Sequence, residues 1–370
     1  MLREQYEIAL IAALVAVACA LPGCFLVLRR MALMSDAISH AILPGIVLAY
    51  FFTRNLSSPL LVLGAALAGV ATVSLVELIH RTGLVREDAA IGLVFPVMFS
   101  IGVVLIARHF RNEHLDVDAV LKGNLVLSVL DRRLSWGGYD IGPQTLYVTA
   151  AVLLLNLLFI GLFYKELKLA TFDPALAAAL GFSPALIHYA LMSLVSVTAV
   201  AAFDAVGAVL VVALMIGPPA AAYLLTDRLS RMLAGSAALG VVSALSGYGL
   251  ARWLNASIAG SMAAMTGVLF GAVLVLAPEH GLLALAWRRR RQRWEFAQTM
   301  LAIHLLNHEG KPEAERENRV EHLHDHLQWK PSFAAQVVRR AERQGIVERR
   351  NGYLLLTPQG RQRAREAIVS

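Results

Sequence analysis

Three polar residues, Asp36, Ser39 and His40, stand near the start of an otherwise apolar stretch. In a helix, Asp36 and His40 are four residues apart and therefore project from one face, which Ser39 borders. Pro44 has no N–H, so the carbonyl group of His40 would lose its usual helical donor. A carboxylate, an imidazole and a carbonyl oxygen suit Mn²⁺, Fe²⁺ or Zn²⁺. The alternative is that Asp36 caps a helix at a membrane surface while His40 bonds to a neighbouring helix.

The chain around these residues has the composition of a multi-span membrane protein. Of its 370 residues, 58% are hydrophobic and 16% charged, and the mean hydropathy is +0.62, values that do not suit a soluble enzyme. The two cysteines, Cys19 and Cys24, lie in the first apolar stretch and cannot build a disulfide framework or a thiolate metal site. A carboxylate in a membrane helix is costly, so Asp36 requires a compensating interaction.

Nine apolar stretches are candidate membrane spans. Several are close to the minimum length of about 17 residues, which leaves the true number at eight or nine. They comprise residues 8–28, 37–52, 60–75, 89–107, 145–164, 185–203, 205–225, 232–250 and 257–276.

The positive charge of the chain is concentrated after Trp287. Residues 288–370 contain 17 Lys or Arg and 10 Asp or Glu, which gives +7, the net charge of the whole chain. Five arginines between positions 288 and 293 follow the last span and predict that the C-terminal part is cytoplasmic. We therefore predict a transmembrane domain over 1–287, a basic linker over 288–294 and a cytoplasmic domain over 295–370.

The C-terminal part has the pattern of a small α+β domain. Apolar spacing predicts a helix over 294–307, and a second helix over 331–344 begins with Pro331 and ends before Gly345. Asn351-Gly352 predicts a hairpin. The stretch 337–364, VVRRAERQGIVERRNGYLLLTPQGRQRA, resembles the winged-helix part of iron-dependent repressor-type regulators. The expected fold is thus an all-α polytopic membrane protein with about 8–9 transmembrane helices plus a small winged-helix cytoplasmic domain.

Two groups of residues in this domain are candidates for ligand binding. Arg339, Arg340 and Arg343 share the predicted recognition helix and could contact DNA, although a domain tethered to a membrane is poorly placed to search a chromosome. We therefore favour protein interaction or autoregulation over nucleic acid binding. His322 and His326 are four residues apart and could bind a metal ion, and a solvated helix face is the alternative.

Four separated blocks resemble, in the same order, the metal-type ABC transporter permeases, which import manganese, zinc or iron. The blocks are LRRMALMSDAISHAILPGIVLA, VREDAAIGLVFPVMFSIGVVL, FDPALAAALGFS and AVGAVLVVALMIGPPAAA, and the resemblance covers about residues 1–285. It implies that Asp36 and His40 hold the metal within the transport pathway. On that interpretation a passing cation compensates for the carboxylate.

A short Ala-rich helix is predicted between two spans. Asp173 and Pro174 form a start signal and Gly181 a stop signal. The resemblance implies that this segment is the coupling helix that docks into the ATPase, and an ordinary connecting helix is the alternative. Its residues are Phe172, Asp173, Pro174, Ala175, Leu176 and Gly181.

Three further polar residues are secondary candidates for the pathway. Glu77 and His80 are three residues apart near the end of a span, where they could form an exit site, although an interfacial pair is favoured. Asp204 lies between two apolar stretches and is not assigned as a ligand. In the second of these stretches, Pro218 and Pro219 follow a glycine and predict an interrupted span.

The chain contains no G-x-x-x-x-G-K-[ST] motif and therefore cannot cradle ATP phosphates by that route. We predict a non-catalytic permease subunit of an ABC importer that moves Mn²⁺, Zn²⁺ or Fe²⁺, with no permanently bound cofactor. Its expected partners are an ATPase subunit, an extracytoplasmic metal-binding protein, membrane lipid and a second permease chain, identical or not. The alternative is a membrane-tethered, metal-responsive transcription regulator, against which nine spans argue because an anchor needs far fewer.

Overall fold

The computed structural model describes residues 2–54, 58–109, 125, 133–136, 139–312, 318–319, 323, 327–350 and 352–369. These residues form two compact units, Met1–Gly281 and Leu282–Ser370.

The first unit is almost entirely helical in its described part. Its helices and its one short hairpin are α1 (Leu2–Leu28), α2 (Ala32–Ala41), α3 (Leu43–Thr53), α4 (Pro59–Arg81), α5 (Glu87–His109), β1 (Arg133–Trp136), β2 (Tyr139–Pro143), α6 (Gln144–Leu162), α7 (Tyr164–Phe172), α8 (Pro174–Ala179), α9 (Pro184–Val206), α10 (Ala208–Leu225), α11 (Leu229–Leu254) and α12 (Ile258–Leu276). Nine segments of the described residues are long and apolar enough to cross a membrane, and α2 and α3 together supply one of them, Ala32–Thr53. The prediction of eight or nine spans is confirmed.

Helix α1 is the most buried of these segments and packs against α6, α9, α10 and α11. Its apolar residues are spread around the whole circumference, as expected for a helix surrounded by others. A polar contact fixes this packing: Asn156 of α6 donates to the carbonyl oxygen of Ala18 at 2.8 Å and accepts from the Thr198 hydroxyl of α9 at 3.0 Å. A buried amide thus joins three helices.

Helices α2 to α5 pack against one another beside this group. The backbones of α3 and α4 approach closely because both helices have a glycine at the contact. A Cβ at Gly45 would overlap the carbonyl oxygen of Gly64, and a Cβ at Gly64 would be crowded against that of Gly45. Small residues at such crossings are the usual way in which membrane helices come into backbone contact.

The boundary between the sixth and seventh spans differs from the prediction. Sequence reasoning placed Asp204 between two stretches, but α9 continues through Asp204 to Val206. The break occurs at Gly207, whose φ of +82° is a conformation that side chains rarely adopt. Ala205, predicted to begin the next span, therefore belongs to α9.

The interruption predicted at Pro218 and Pro219 is also wrong, because α10 runs through both residues. Pro219 leaves the carbonyl group of Met215 without its helical donor. That carbonyl lies against Gly23 of α1, where any Cβ would overlap it. Tight packing against α1, α11 and α12 holds the helix together despite the missing hydrogen bonds.

The second unit combines three helices and a hairpin in its described part: α13 (Leu282–His308), α14 (Pro331–Arg343), β3 (Val347–Arg350), β4 (Tyr353–Leu356) and α15 (Pro358–Val369). The predicted second helix and the hairpin are confirmed, the strands pairing antiparallel. The predicted helix over 294–307 is the end of the longer α13, which also includes the residues 288–294 that we predicted as a basic linker. Sequence reasoning missed α15, whose start is signalled by Thr357, an acceptor for the Gly360 N–H, and by Pro358.

Candidate functional site

Asp36 and His40 lie one turn apart on α2, as their spacing predicts. The distance from His40 Nε2 to Asp36 Oδ1 is 3.5 Å. The Asp36 side chain is 47% exposed and that of His40 33% exposed. Both residues belong to the candidate membrane span Ala32–Thr53. His40 lies about 12 Å along the helix axis from Ala32, the first residue of that span. The two groups therefore face an open side of the unit within a span.

The His40 ring is positioned by α5. Its centroid lies 6.1 Å from those of Phe95 and Phe99, so two aromatic rings restrict its movement. Ser39 is fully buried and donates to the carbonyl oxygen of Ser35 at 2.9 Å. The structure thus brings Asp36 and His40 together and leaves the Ser39 hydroxyl bonded within its own helix.

The span is divided into two helices just beyond these side chains, at Ile42, although Ile42 itself keeps helical dihedral angles. Helix α2 ends at Ala41, and α3 begins at Leu43 with Pro44 in its first turn. This one-residue interruption lies where Pro44 removes a helical N–H donor, and the backbone otherwise continues from α2 into α3.

Two protein ligands are too few to complete the coordination of a divalent transition metal. Within the described ranges, Asp36 and His40 do not belong to a group of three or more His, Cys, Asp or Glu with converging ligand atoms. A metal ion at this position would therefore need ligands from outside this set, and the exposure of both side chains leaves room for them.

The predicted short helix between two spans is α8. Asp173 caps it by accepting from the Leu176 N–H at 2.9 Å, and Pro174 occupies its first turn. Gly181 follows it with a φ of +87°, and the chain then enters α9. Leu176 is 46% exposed, and Phe172 and Leu180 are 58% and 60% exposed. The helix and the residues that flank it thus present three apolar side chains on the surface of the unit.

The secondary candidates are not assembled into a metal site. Glu77 accepts from Arg81 Nε at 2.8 Å, and no described contact joins its carboxylate to His80, which is exposed. This region therefore contains an interfacial ion pair within α4, in which the partner of Glu77 is Arg81 and not the expected His80. Asp204 lies in α9, and its side chain is outside the described part of the structure.

A group of three candidate ligands was not foreseen. Asp227, Glu279 and His280 have ligand atoms within 4.8 Å of one another, and His280 Nε2 lies 3.4 Å from Asp227 Oδ1. All three are exposed. No sequence signal indicates the group because Asp227 is more than fifty positions from its partners.

In the second unit, Arg339 and Arg343 are exposed on α14. The Arg340 guanidinium lies 4.0 Å from the centre of the Trp294 ring, a cation–π contact that occupies this side chain. His322 and His326 lie outside the described residues.

Comparisons with known proteins agree with this architecture. A model of the ABC 3 transport family matches residues 5–277. Zinc transport system membrane protein TroD from Treponema pallidum is 50% identical over 354 residues, which cover 96% of each chain. Manganese transport system membrane protein MntD from Bacillus subtilis is 50% identical over 270 residues, covering 73% of this chain and 91% of the relative. A chain in the solved structure of PsaBC from Streptococcus pneumoniae in complex with Fab superposes with a TM-score of 0.63 at 28% identity, covering 76% of this chain and 94% of that one.

Proposed function

This chain belongs to the ABC 3 transport family, and we infer that it is the membrane-spanning permease subunit of an ABC importer for divalent transition metal ions. Its relatives are named as zinc and manganese transport system membrane proteins. The nine candidate spans suit a multi-pass permease, which catalyses no covalent chemistry itself. A separate ATPase subunit drives transport. The alternative of a tethered transcription regulator is not favoured.

The observation that carries the proposed mechanism is the exposure of Asp36 and His40 within a membrane span. A charged side chain facing hydrocarbon is costly, and such residues usually face a pathway or a partner. We propose that a second permease chain, identical or not, covers this side and that the metal ion passes between the two chains. Asp36 and His40 supply two ligands, and the partner chain or water supplies the rest.

We propose that α8 is the coupling helix. This capped helix exposes the apolar side chain of Leu176, and Phe172 and Leu180 on either side of it are exposed as well. Burial of such surface favours association with another protein. Ala175, with the cap residues Asp173 and Pro174 and the terminator Gly181, keeps the segment short and stiff. ATP-driven movement of the ATPase would be passed through α8 to α9, which begins at Pro184.

The expected orientation follows from the arginines at 288–293, which predict that the second unit is cytoplasmic. An extracytoplasmic metal-binding protein would then deliver the ion to the opposite membrane face. For the second unit we propose a winged-helix module for protein interaction or autoregulation, because α14 is followed directly by the β3–β4 hairpin. DNA contacts by Arg339 and Arg343, and a metal site at His322 and His326, are less favoured.

Elemental analysis of cells that lack their own high-affinity metal uptake tests this function. The complete transporter is expressed with the wild-type chain or with His40→Ala, at equal levels in the membrane. We expect one of Mn²⁺, Zn²⁺ or Fe²⁺ to rise only with the wild-type chain, which also identifies the substrate. Equal accumulation would make His40 structural, and no accumulation with either chain would refute the importer itself.

A further inference from the structure

Arg29 joins three elements at one end of the membrane unit. It directly follows α1, and its Nε donates to Thr171 Oγ1 of α7 at 3.2 Å. Its Nη1 lies 3.3 Å from Nδ1 of His188 on α9. This arginine therefore links the end of the first span to the segment before α8 and to the span after it.

The contact between Arg29 and His188 defines the protonation of the imidazole. A guanidinium group has only donors, so Nδ1 of His188 must accept and the ring proton is on Nε2. Within the described part of the chain, His188 Nε2 and Arg29 Nη2 are both buried without a hydrogen-bond partner. Two buried donors without acceptors indicate an acceptor that the described residues do not supply.

Arg29 and His188 both line a cavity of about 470 Å³. Arg30 and Arg81 also line it, and Glu77 is its only carboxylate residue among the described lining residues. One oxygen of Glu77 is engaged by Arg81 at 2.8 Å. Burial lowers the pKa of Arg29 to about 10, so the guanidinium is still charged at neutral pH. The cavity therefore has a net positive lining.

We propose that this cavity binds a phosphate group, and that a small rotation of the Arg29 and His188 side chains turns Nη2 and Nε2 toward its oxygens. Guanidinium groups match the geometry and charge of phosphate oxygens better than any other side chain does. The first span ends at Leu28, next to Arg29, so the cavity lies where the headgroups of a bilayer begin. The phosphate group can belong to a phospholipid headgroup or be free in solution, and the cavity exceeds what a bare phosphate ion fills.

Thermal-shift titrations of the purified complete transporter, including its ATPase, test this site without any measurement of transport. One arm titrates inorganic phosphate into the detergent-solubilised complex at constant ionic strength. The other compares nanodiscs of phosphatidylcholine alone with nanodiscs that also contain phosphatidylglycerol. The variants are Arg29→Gln and His188→Phe, which removes the Nε2 donor but keeps a ring. The matched control is Arg252→Gln, an exposed arginine in the last turn of α11.

We expect stabilisation of the wild-type complex and of Arg252→Gln in at least one arm, and at least about tenfold weaker half-saturation in His188→Phe. A response to phosphate alone identifies a free phosphate ligand, and a response to phosphatidylglycerol alone identifies a lipid headgroup. If Arg29→Gln fails to fold because it loses the bond to Thr171, His188→Phe still decides. Equal responses of His188→Phe and the wild type, or no response of the wild type in either arm, would overturn the proposal and leave water as the acceptor.

Discussion

The proposed docking of α8 into the ATPase predicts a graded loss of affinity when the exposed apolar side chains of α8 and its C-terminal cap are shortened. Leu176 is 46% exposed and Leu180 60% exposed. Complete burial of a leucine contributes about 1.5–3 kcal/mol, so burial of the exposed parts of both contributes about 1.5–3 kcal/mol together. Leu176→Ala combined with Leu180→Ala should weaken ATPase binding about 10- to 100-fold. The permease itself should fold normally, because the side-chain surface that the substitutions remove is largely exposed in the folded chain.

The assay measures the affinity between the detergent-solubilised permease and its purified ATPase subunit, together with ATP-dependent metal uptake in reconstituted vesicles. Each single variant should show about half of the double variant's loss of binding free energy. Leu254→Ala is the matched control, because Leu254 is 55% exposed at the end of α11, far along the chain from α8. Unchanged ATPase affinity in the double variant would refute the assignment of α8 as the docking element.

Three further changes test the packing. Asn156→Leu removes the hydrogen bonds that join α1, α6 and α9 and should destabilise the permease by about 1–2 kcal/mol, which thermal unfolding would detect; an unchanged midpoint would contradict this. Gly64→Ala should lower the same midpoint because its Cβ is crowded by the Gly45 carbonyl, whereas Gly92→Ala, with open space around it, should not; equal effects would argue against the close crossing. Asp173→Ala removes the cap of α8, worth about 1 kcal/mol, and should speed amide exchange in α8 several-fold; wild-type exchange would show that packing alone holds the helix.

The spans could be predicted from sequence because apolar stretches of this length have few other uses. Their ends were less predictable. Asp204 looked like an end because it is charged, but the backbone breaks only where Gly207 allows a positive φ. Pro218 and Pro219 looked like a break, and tertiary packing of the Met215 carbonyl against Gly23 overrides the lost hydrogen bonds. Local signals cannot report such contacts between distant helices.

The candidate site, too, was predictable from the sequence only in part. The spacing of Asp36 and His40 predicted their proximity, because residues four apart meet on any helix. Their exposure, and the Phe95 and Phe99 rings that hold His40, depend on α5 and could not be inferred from the segment alone. Glu77 was assigned to the wrong neighbour for a simpler reason: Arg81, one turn further on, competes with His80 and carries a permanent charge.

In the proposed mechanism, the transported metal passes Asp36 and His40. The most direct test is ATP-driven uptake of radiolabelled Mn²⁺ or Zn²⁺ into vesicles that contain the complete transporter. Asp36→Asn and His40→Gln keep the approximate size of each side chain, and Ser39→Ala is the control because its buried hydroxyl donates to Ser35 within α2. We predict that uptake falls about tenfold or more in both variants, while Ser39→Ala retains it. Uptake at the wild-type rate in both Asp36→Asn and His40→Gln would contradict the account.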